Sequence, residues 1–165
     1  MAFDTRSALA ALAALSAAAL ALAFIGQHAF GLEPCTLCVW QRYPHAAAIA
    51  VAAVGALWAP AGRAALGLCA LIFLAGAGLA AFHVGVEQGW WPGLPGCSAP
   101  PIDPDATVAE LRAILEARAQ VVPCDEPAFT LFGVSMAGYN GLFSAALAIA
   151  AAWFAVRGGR CPSGR

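Results

Sequence analysis

An all-α bundle of four membrane-crossing helices, with a polar loop that carries one short amphipathic helix, is the fold class this sequence predicts. Three observations predict it. Hydrophobic residues make up 62% of the 165-residue chain and charged residues only 10%, against roughly 45–50% and about 25% in soluble domains. Long uncharged runs recur, each able to cross a hydrocarbon core about 30 Å thick. Most of the acidic residues gather in a single stretch between residues 87 and 127. The length fits one integral membrane domain, residues 1–165. Lysine is absent and the net charge is −1, so a polybasic nucleic-acid binder is excluded.

The first span is expected at about 7–30, an uncharged run from Ser7 to Phe30. Arg6 and the alanine-rich sequence also resemble a signal peptide, but the run exceeds the usual h-region of roughly 7–15 residues. Gln27 and His28 mark its far interface. The second span is expected at about 37–59, beginning inside a Cys-x-x-Cys segment because the apolar run from His45 alone is short. Pro44 is then either a kink or a first-turn residue. Ala59-Pro60-Ala61-Gly62-Arg63 reads as a turn, followed by a third span at about 64–86 that contains Cys69. Gly76 and Ala80 offer small-residue spacing for close helix approach, with lipid-facing filler as the alternative.

The polar loop is expected at about 87–128. Trp90-Trp91 opens it with an interface signature, and Pro92, Pro95, Pro100, Pro101 and Pro104 oppose regular structure. Thr107-Val108-Ala109-Glu110 is a capping box that predicts a helix to about Arg118. Its Val108, Leu111, Ile114 and Leu115 face suits a bilayer surface, or packing against a partner or the spans. A fourth span is expected at about 129–156, with Tyr139-Asn140 as a polar interruption.

Basic residues set the expected orientation. Arg6, Arg63, Arg157, Arg160 and Arg165 fall on one side, and Arg42, Arg112 and Arg118 on the other. The excess favours cytoplasmic termini. Cys35, Cys38, Cys97 and Cys124 then share the outer face, where disulfides persist. Cys69 within the membrane and Cys161 in the tail are expected to stand outside any relay.

The chemistry centres on Pro34-Cys35-Thr36-Leu37-Cys38-Val39-Trp40-Gln41-Arg42. Two cysteines at this spacing can close a small reversible disulfide, and a helix start with a nearby cation stabilises a thiolate. On one continuous helix Cys38 and Arg42 share a face at i and i+4, so the arginine is expected to favour the Cys38 thiolate. The same spacing supplies half of a zinc site, but a second Cys-x-x-Cys or His-x-x-x-His is missing. No metal is therefore expected. The distant loop pair, Cys97 and Cys124, suggests exchange between disulfides, which requires accessible sulfurs.

Taken together, the four spans, the Pro-Cys-Thr-Leu-Cys-Val-Trp-Gln-Arg segment and the separated cysteines 97 and 124 resemble the bacterial disulfide bond formation protein B (DsbB) family over nearly the whole chain. The resemblance implies a quinone-linked thiol oxidase of the inner membrane. A periplasmic DsbA-like thioredoxin-fold partner would attack a Cys97–Cys124 disulfide, with Cys97 forming the mixed disulfide. Electrons would pass to Cys35–Cys38 through a transient Cys35–Cys124 link. Cys38 would engage ubiquinone or menaquinone, with Arg42 polarising the quinone or steadying the thiolate.

Family members carry a quinone-contacting histidine near the end of the third span. Gln88 occupies that place here, and His83 lies about one turn earlier; both are candidate contacts. Glu87 is a candidate proton carrier, with interfacial solvation the competing reading for it and Gln88. His28 and His45 read as interface anchors. The alternatives are a related membrane thiol oxidase serving another client, or a non-enzymatic protein using its cysteines as staples or metal ligands.

Overall fold

The computed structural model describes residues 4–95, 97, 105–118 and 122–157. Pro100, Pro101, Pro104, Arg160, Cys161 and Arg165 lie outside them.

Helix α1, Thr5–Phe30, starts where Asp4 accepts the Ser7 N–H at 2.7 Å, and it stops at Gly31 in the left-handed conformation (φ 66°). Helices α4, Gly62–Glu87, and α6, Met136–Arg157, are likewise long and apolar. Their 26, 26 and 22 residues correspond to roughly 39, 39 and 33 Å at the α-helical rise. Each exceeds a hydrocarbon core of about 30 Å. These three are the described helices long and apolar enough to cross a membrane.

The helix expected at 37–59 is divided. Helix α2 covers Thr36–Trp40, and α3 covers Arg42–Leu57. Pro44 explains the break: its nitrogen cannot donate to the Trp40 carbonyl, and its ring crowds that same carbonyl. It serves as a first-turn residue of α3 rather than a mid-helix kink. With 16 residues, α3 extends roughly 24 Å. It is shorter than the expected span. A 3₁₀ turn at Ala59–Ala61 then leads into α4.

Helix α4 packs most extensively on α6, while α3 packs between α1 and α4. Their shared core holds Leu9, Leu12, Ala48, Ala52, Leu66, Cys69, Phe73, Leu147 and Ala151. Small residues let the backbones close up: a Cβ on Gly76 would stand 3.0 Å from the Pro44 ring, and Ala80 is fully buried. The small-residue positions therefore face helices rather than lipid.

Beyond α4, Trp90 and Trp91 are exposed to differing degrees and residues 92–94 are irregular. Helix α5, Val108–Arg118, has the expected capping box: the Thr107 N–H and hydroxyl donate to Glu110 at 2.8 and 2.6 Å, and the Glu110 N–H donates back to the Thr107 hydroxyl at 3.4 Å. It packs extensively on no other described element. Residues 129–135 depart from the expected fourth span and from an all-α description. They contain a hairpin, β1 Thr130–Leu131 and β2 Val134–Ser135, antiparallel with Thr130 opposite Ser135 and Leu131 opposite Val134. Its turn places Phe132 and Gly133 at φ 50° and 78°, and glycine supplies the second of these without strain.

Candidate redox site

Cys35 is the N-cap of α2, in extended conformation, and its sulfur accepts the Cys38 N–H at 3.3 Å. The cap geometry brings the two sulfurs to 3.0 Å. From α4, His83 Nε2 approaches the Cys35 sulfur at 3.6 Å. Cys35 is buried, so each donor acts where water does not compete. The Cys38 thiol contact, together with His83 and the Cys38 N–H, outweighs burial and lowers the Cys35 pKa from 9.0 to about 4. The donors thus converge on Cys35. The sequence had favoured Cys38 as the stabilised thiolate, on the premise of one helix through Arg42.

The second cysteine pair lies in the same place. Cys97 and Cys124 form a disulfide with Cα atoms 5.0 Å apart, and the Cys124 N–H donates to the Cys97 carbonyl at 2.6 Å. Both are buried, where the sequence predicts accessible sulfurs, in one cluster with Cys35, Leu37 and Val86, against which Cys38, Leu79, Phe82 and Leu94 pack, so attack on the pair requires that cluster to open. Cys69 belongs to the separate helical core. His83 joins the pairs, because its Nε2 also lies 3.2 Å from the Cys124 carbonyl oxygen. A dithiol and a disulfide in one apolar cluster have the chemistry needed for thiol–disulfide exchange.

From His83 a line of polar side chains runs between the helices. Gln41 Nε2 meets His83 Nδ1 at 2.6 Å, Asn140 Nδ2 donates to Gln41 Oε1 at 2.7 Å, and His45 Nε2 meets Asn140 Oδ1 at 2.9 Å. His45 is buried between Phe73 and Phe143, at ring-centroid distances of 5.9 and 6.0 Å. It is not an interface anchor. His28 is exposed and stacks on Phe24.

A cavity of about 200 Å³ adjoins the dithiol. Cys38, Gln41, Arg42, His45 and Asn140 contribute to its lining, as do apolar residues of α1 including Leu20 and Leu22. Arg42 is held by Gln27, whose Oε1 accepts from Nη1 at 2.8 Å, and its guanidinium sits 4.8 Å from the Phe24 ring centroid. Arg42 and Cys38 therefore meet at the cavity without sharing a continuous helix. Gln88 is exposed and does not line the cavity. Glu87 lies 3.9 Å from His83 Nε2 and accepts a hydrogen bond from Ser135.

His83, Cys35 and Cys38 also present donor atoms within 4.8 Å of one another. Sequence spacing hid this third potential ligand, which lies 45 positions beyond Cys38. Gln41 and Asn140 were missed as site residues for the same reason. The signal available was their polarity inside or beside apolar helices, where polar side chains carry a high solvation cost.

The arrangement agrees with the comparison to known proteins: the family described as Disulfide bond formation protein DsbB matches residues 5–154. The chain belongs to the DsbB family. Among curated relatives, Disulfide bond formation protein B of Marinobacter nauticus is 32% identical over 79% of this chain and 79% of its own length. The protein of the same name from an Azoarcus species is 31% identical over 85% of this chain and 86% of its own. That from Aromatoleum aromaticum is 38% identical, over 54% of this chain and 52% of its own. No solved structure matches. As a DsbB-family member with apolar helices of membrane-crossing length, the chain is a disulfide-forming membrane oxidoreductase.

Proposed function

We propose that this chain reoxidises a periplasmic DsbA-like thioredoxin-fold protein and delivers the two electrons to a membrane quinone, ubiquinone or menaquinone. The observation that carries the reading is the gathering of both cysteine pairs at one apolar cluster, with Cys38 partly buried and also lining the cavity. In the first exchange the partner's thiolate attacks Cys97, so the partner's dithiol becomes a disulfide and Cys97 and Cys124 become thiols. Attack by Cys124 on an oxidised Cys35–Cys38 pair, through a transient Cys35–Cys124 bond, then restores the loop disulfide. The electron pair and two protons end on Cys35 and Cys38.

The cavity fits a quinone headgroup. Its walls are mostly apolar, its polar groups are few, and its volume of about 200 Å³ exceeds the roughly 150 Å³ that holds a benzene ring. When bound, a quinone supplies a lipid-soluble two-electron acceptor. Cys38, at the cavity wall, would face the headgroup, and Arg42 would hold it with positive charge in a water-poor setting. Low Cys35 pKa favours the reduced pair, and thus makes its disulfide the stronger oxidant toward the loop thiols. In this reading α3 is a short fourth crossing, the termini are cytoplasmic and the cysteines are periplasmic in the bacterial inner membrane.

The deciding experiment mixes purified protein, a reduced DsbA-like dithiol and a quinone without oxygen. Quinol should form in equal amount to partner disulfide, and Cys38→Ser should abolish it. Partner oxidation that proceeds without quinone would defeat the proposal.

One observation favours a second reading: Cys35, Cys38 and His83 are grouped as three ligands of a metal such as zinc. Stoichiometric zinc in the purified protein, lost in His83→Phe and accompanied by no dithiol oxidation, would select it.

A further inference from the structure

The direction of hydrogen bonding along the polar line follows from one backbone group. The Cys124 carbonyl can only accept, so His83 Nε2, at 3.2 Å, bears the hydrogen. In the neutral ring Nδ1 is then a bare lone pair, and it accepts from Gln41 Nε2 at 2.6 Å. Gln41 Oε1 accepts from Asn140 Nδ2, leaving Asn140 Oδ1 to accept from His45 Nε2–H at 2.9 Å. Every donor points toward Cys124 and Cys35. The neutral His45 ring is left with a bare lone pair on Nδ1.

That nitrogen is buried and has no hydrogen-bond partner among the described residues. Two other buried polar atoms share this condition, Ser16 Oγ and Ser144 Oγ, but neither residue lines the cavity. His45 does. An unpaired acceptor in a water-poor site is destabilising, and a ligand donor would remove that penalty. A carbonyl oxygen would be repelled by the lone pair, whereas a hydroxyl would be bound by it.

We propose that His45 Nδ1 accepts a hydrogen bond from a hydroxyl of the reduced, hydroquinone-type headgroup, so that the cavity holds the quinol more tightly than the quinone. The inference rests on the reading of the cavity as a quinone site. Its effect is thermodynamic: preferential binding of the reduced form makes the bound acceptor more oxidising. The Cys35–Cys38 dithiol loses two electrons and two protons as it closes to a disulfide, and the headgroup gains both as its two carbonyls become hydroxyls. His45 is a binding residue for that product. Gln41 and Asn140 are positioning residues that fix its tautomer.

The test measures equilibrium dissociation constants, without oxygen, for a short-chain ubiquinone and for its quinol on detergent-purified protein whose cysteine pairs are oxidised. Wild-type protein should bind the quinol about tenfold more tightly, as expected for one added hydrogen bond in a buried site. His45→Phe keeps a flat ring between Phe73 and Phe143 and should bring the ratio toward one. Asn140→Leu frees the His45 tautomer and should lower the ratio as well. A wild-type ratio at or below one overturns the proposal even if neither variant folds, and so does an unchanged ratio in His45→Phe. Failure of wild-type protein to bind either form overturns the quinone reading itself, and this inference with it.

Discussion

His83 lies 3.6 Å from the sulfur of Cys35, although 48 residues separate them in the chain. The same imidazole nitrogen reaches the Cys124 carbonyl, so α4 holds one side chain against both cysteine pairs. The thiolate state of Cys35 therefore depends on the Cys38 thiol first and, through His83, on the packing of α4 beside α2.

That dependence is measurable by ultraviolet titration of thiolate absorbance in protein whose Cys35–Cys38 pair is reduced. A depressed thiol pKa means that the ionised form is present above it and is lost as pH falls through it. One thiolate should persist at neutral pH and disappear near the Cys35 value of about 4. Cys35→Ser should remove this transition, and His83→Phe should move it upward. A first transition that stays near 9.0, the ordinary thiol value, would contradict the assignment.

Arg42 gives a test of the cavity. Removing its guanidinium in Arg42→Ala should raise the quinone KM about tenfold or more, by loss of a charge-assisted contact. Gln27→Ala leaves the charge in place but frees it from its 2.8 Å partner, so its effect should be in the same direction and smaller. Steady-state turnover against quinone concentration separates the two. Unchanged KM in both variants would take Arg42 out of the site.

At the end of α4, Trp91 folds back over Gly85. A Cβ there would stand 2.0 Å from the indole ring, and the Trp91 Nε1–H donates to the Phe82 carbonyl at 2.9 Å. Gly85→Leu should expel the ring and destabilise the protein by about 1–3 kcal/mol. Denaturant unfolding in detergent, with tryptophan emission shifted to the red, would show it. Wild-type emission and stability would count against this packing.

The capping box offers a local test. Thr107→Ala removes the hydroxyl that both donates to and accepts from Glu110, and should weaken α5 by about 1 kcal/mol. Amide exchange should accelerate within α5 while α4 and α6 keep their protection. Uniform acceleration across the molecule would mean that α5 is not an independent element.

What the sequence disclosed depended on how local the cause was. Uncharged runs marked α1 and α4 to within about two residues because burial in a hydrocarbon core acts on consecutive residues. Thr107 and Glu110 announced α5 because a capping box lies within one turn. Pro44 left two outcomes open, and only its position relative to the Trp40 carbonyl chose between them. The hairpin at Thr130–Ser135 was hidden inside a generally apolar stretch, although Phe132-Gly133 between short apolar segments carried a weak turn signal. His83, Gln41, Asn140 and His45 could be seen singly. Their partnership required three helices to be packed, and no spacing rule spans that separation.

Trp91 also stacks on Phe82, with ring centroids 5.9 Å apart, and Phe82 packs against the buried cysteines. Opening or closing a sulfur–sulfur bond in that cluster should therefore shift Phe82 and, with it, the Trp91 indole, so native fluorescence of the oxidised and reduced protein is expected to differ without an attached dye.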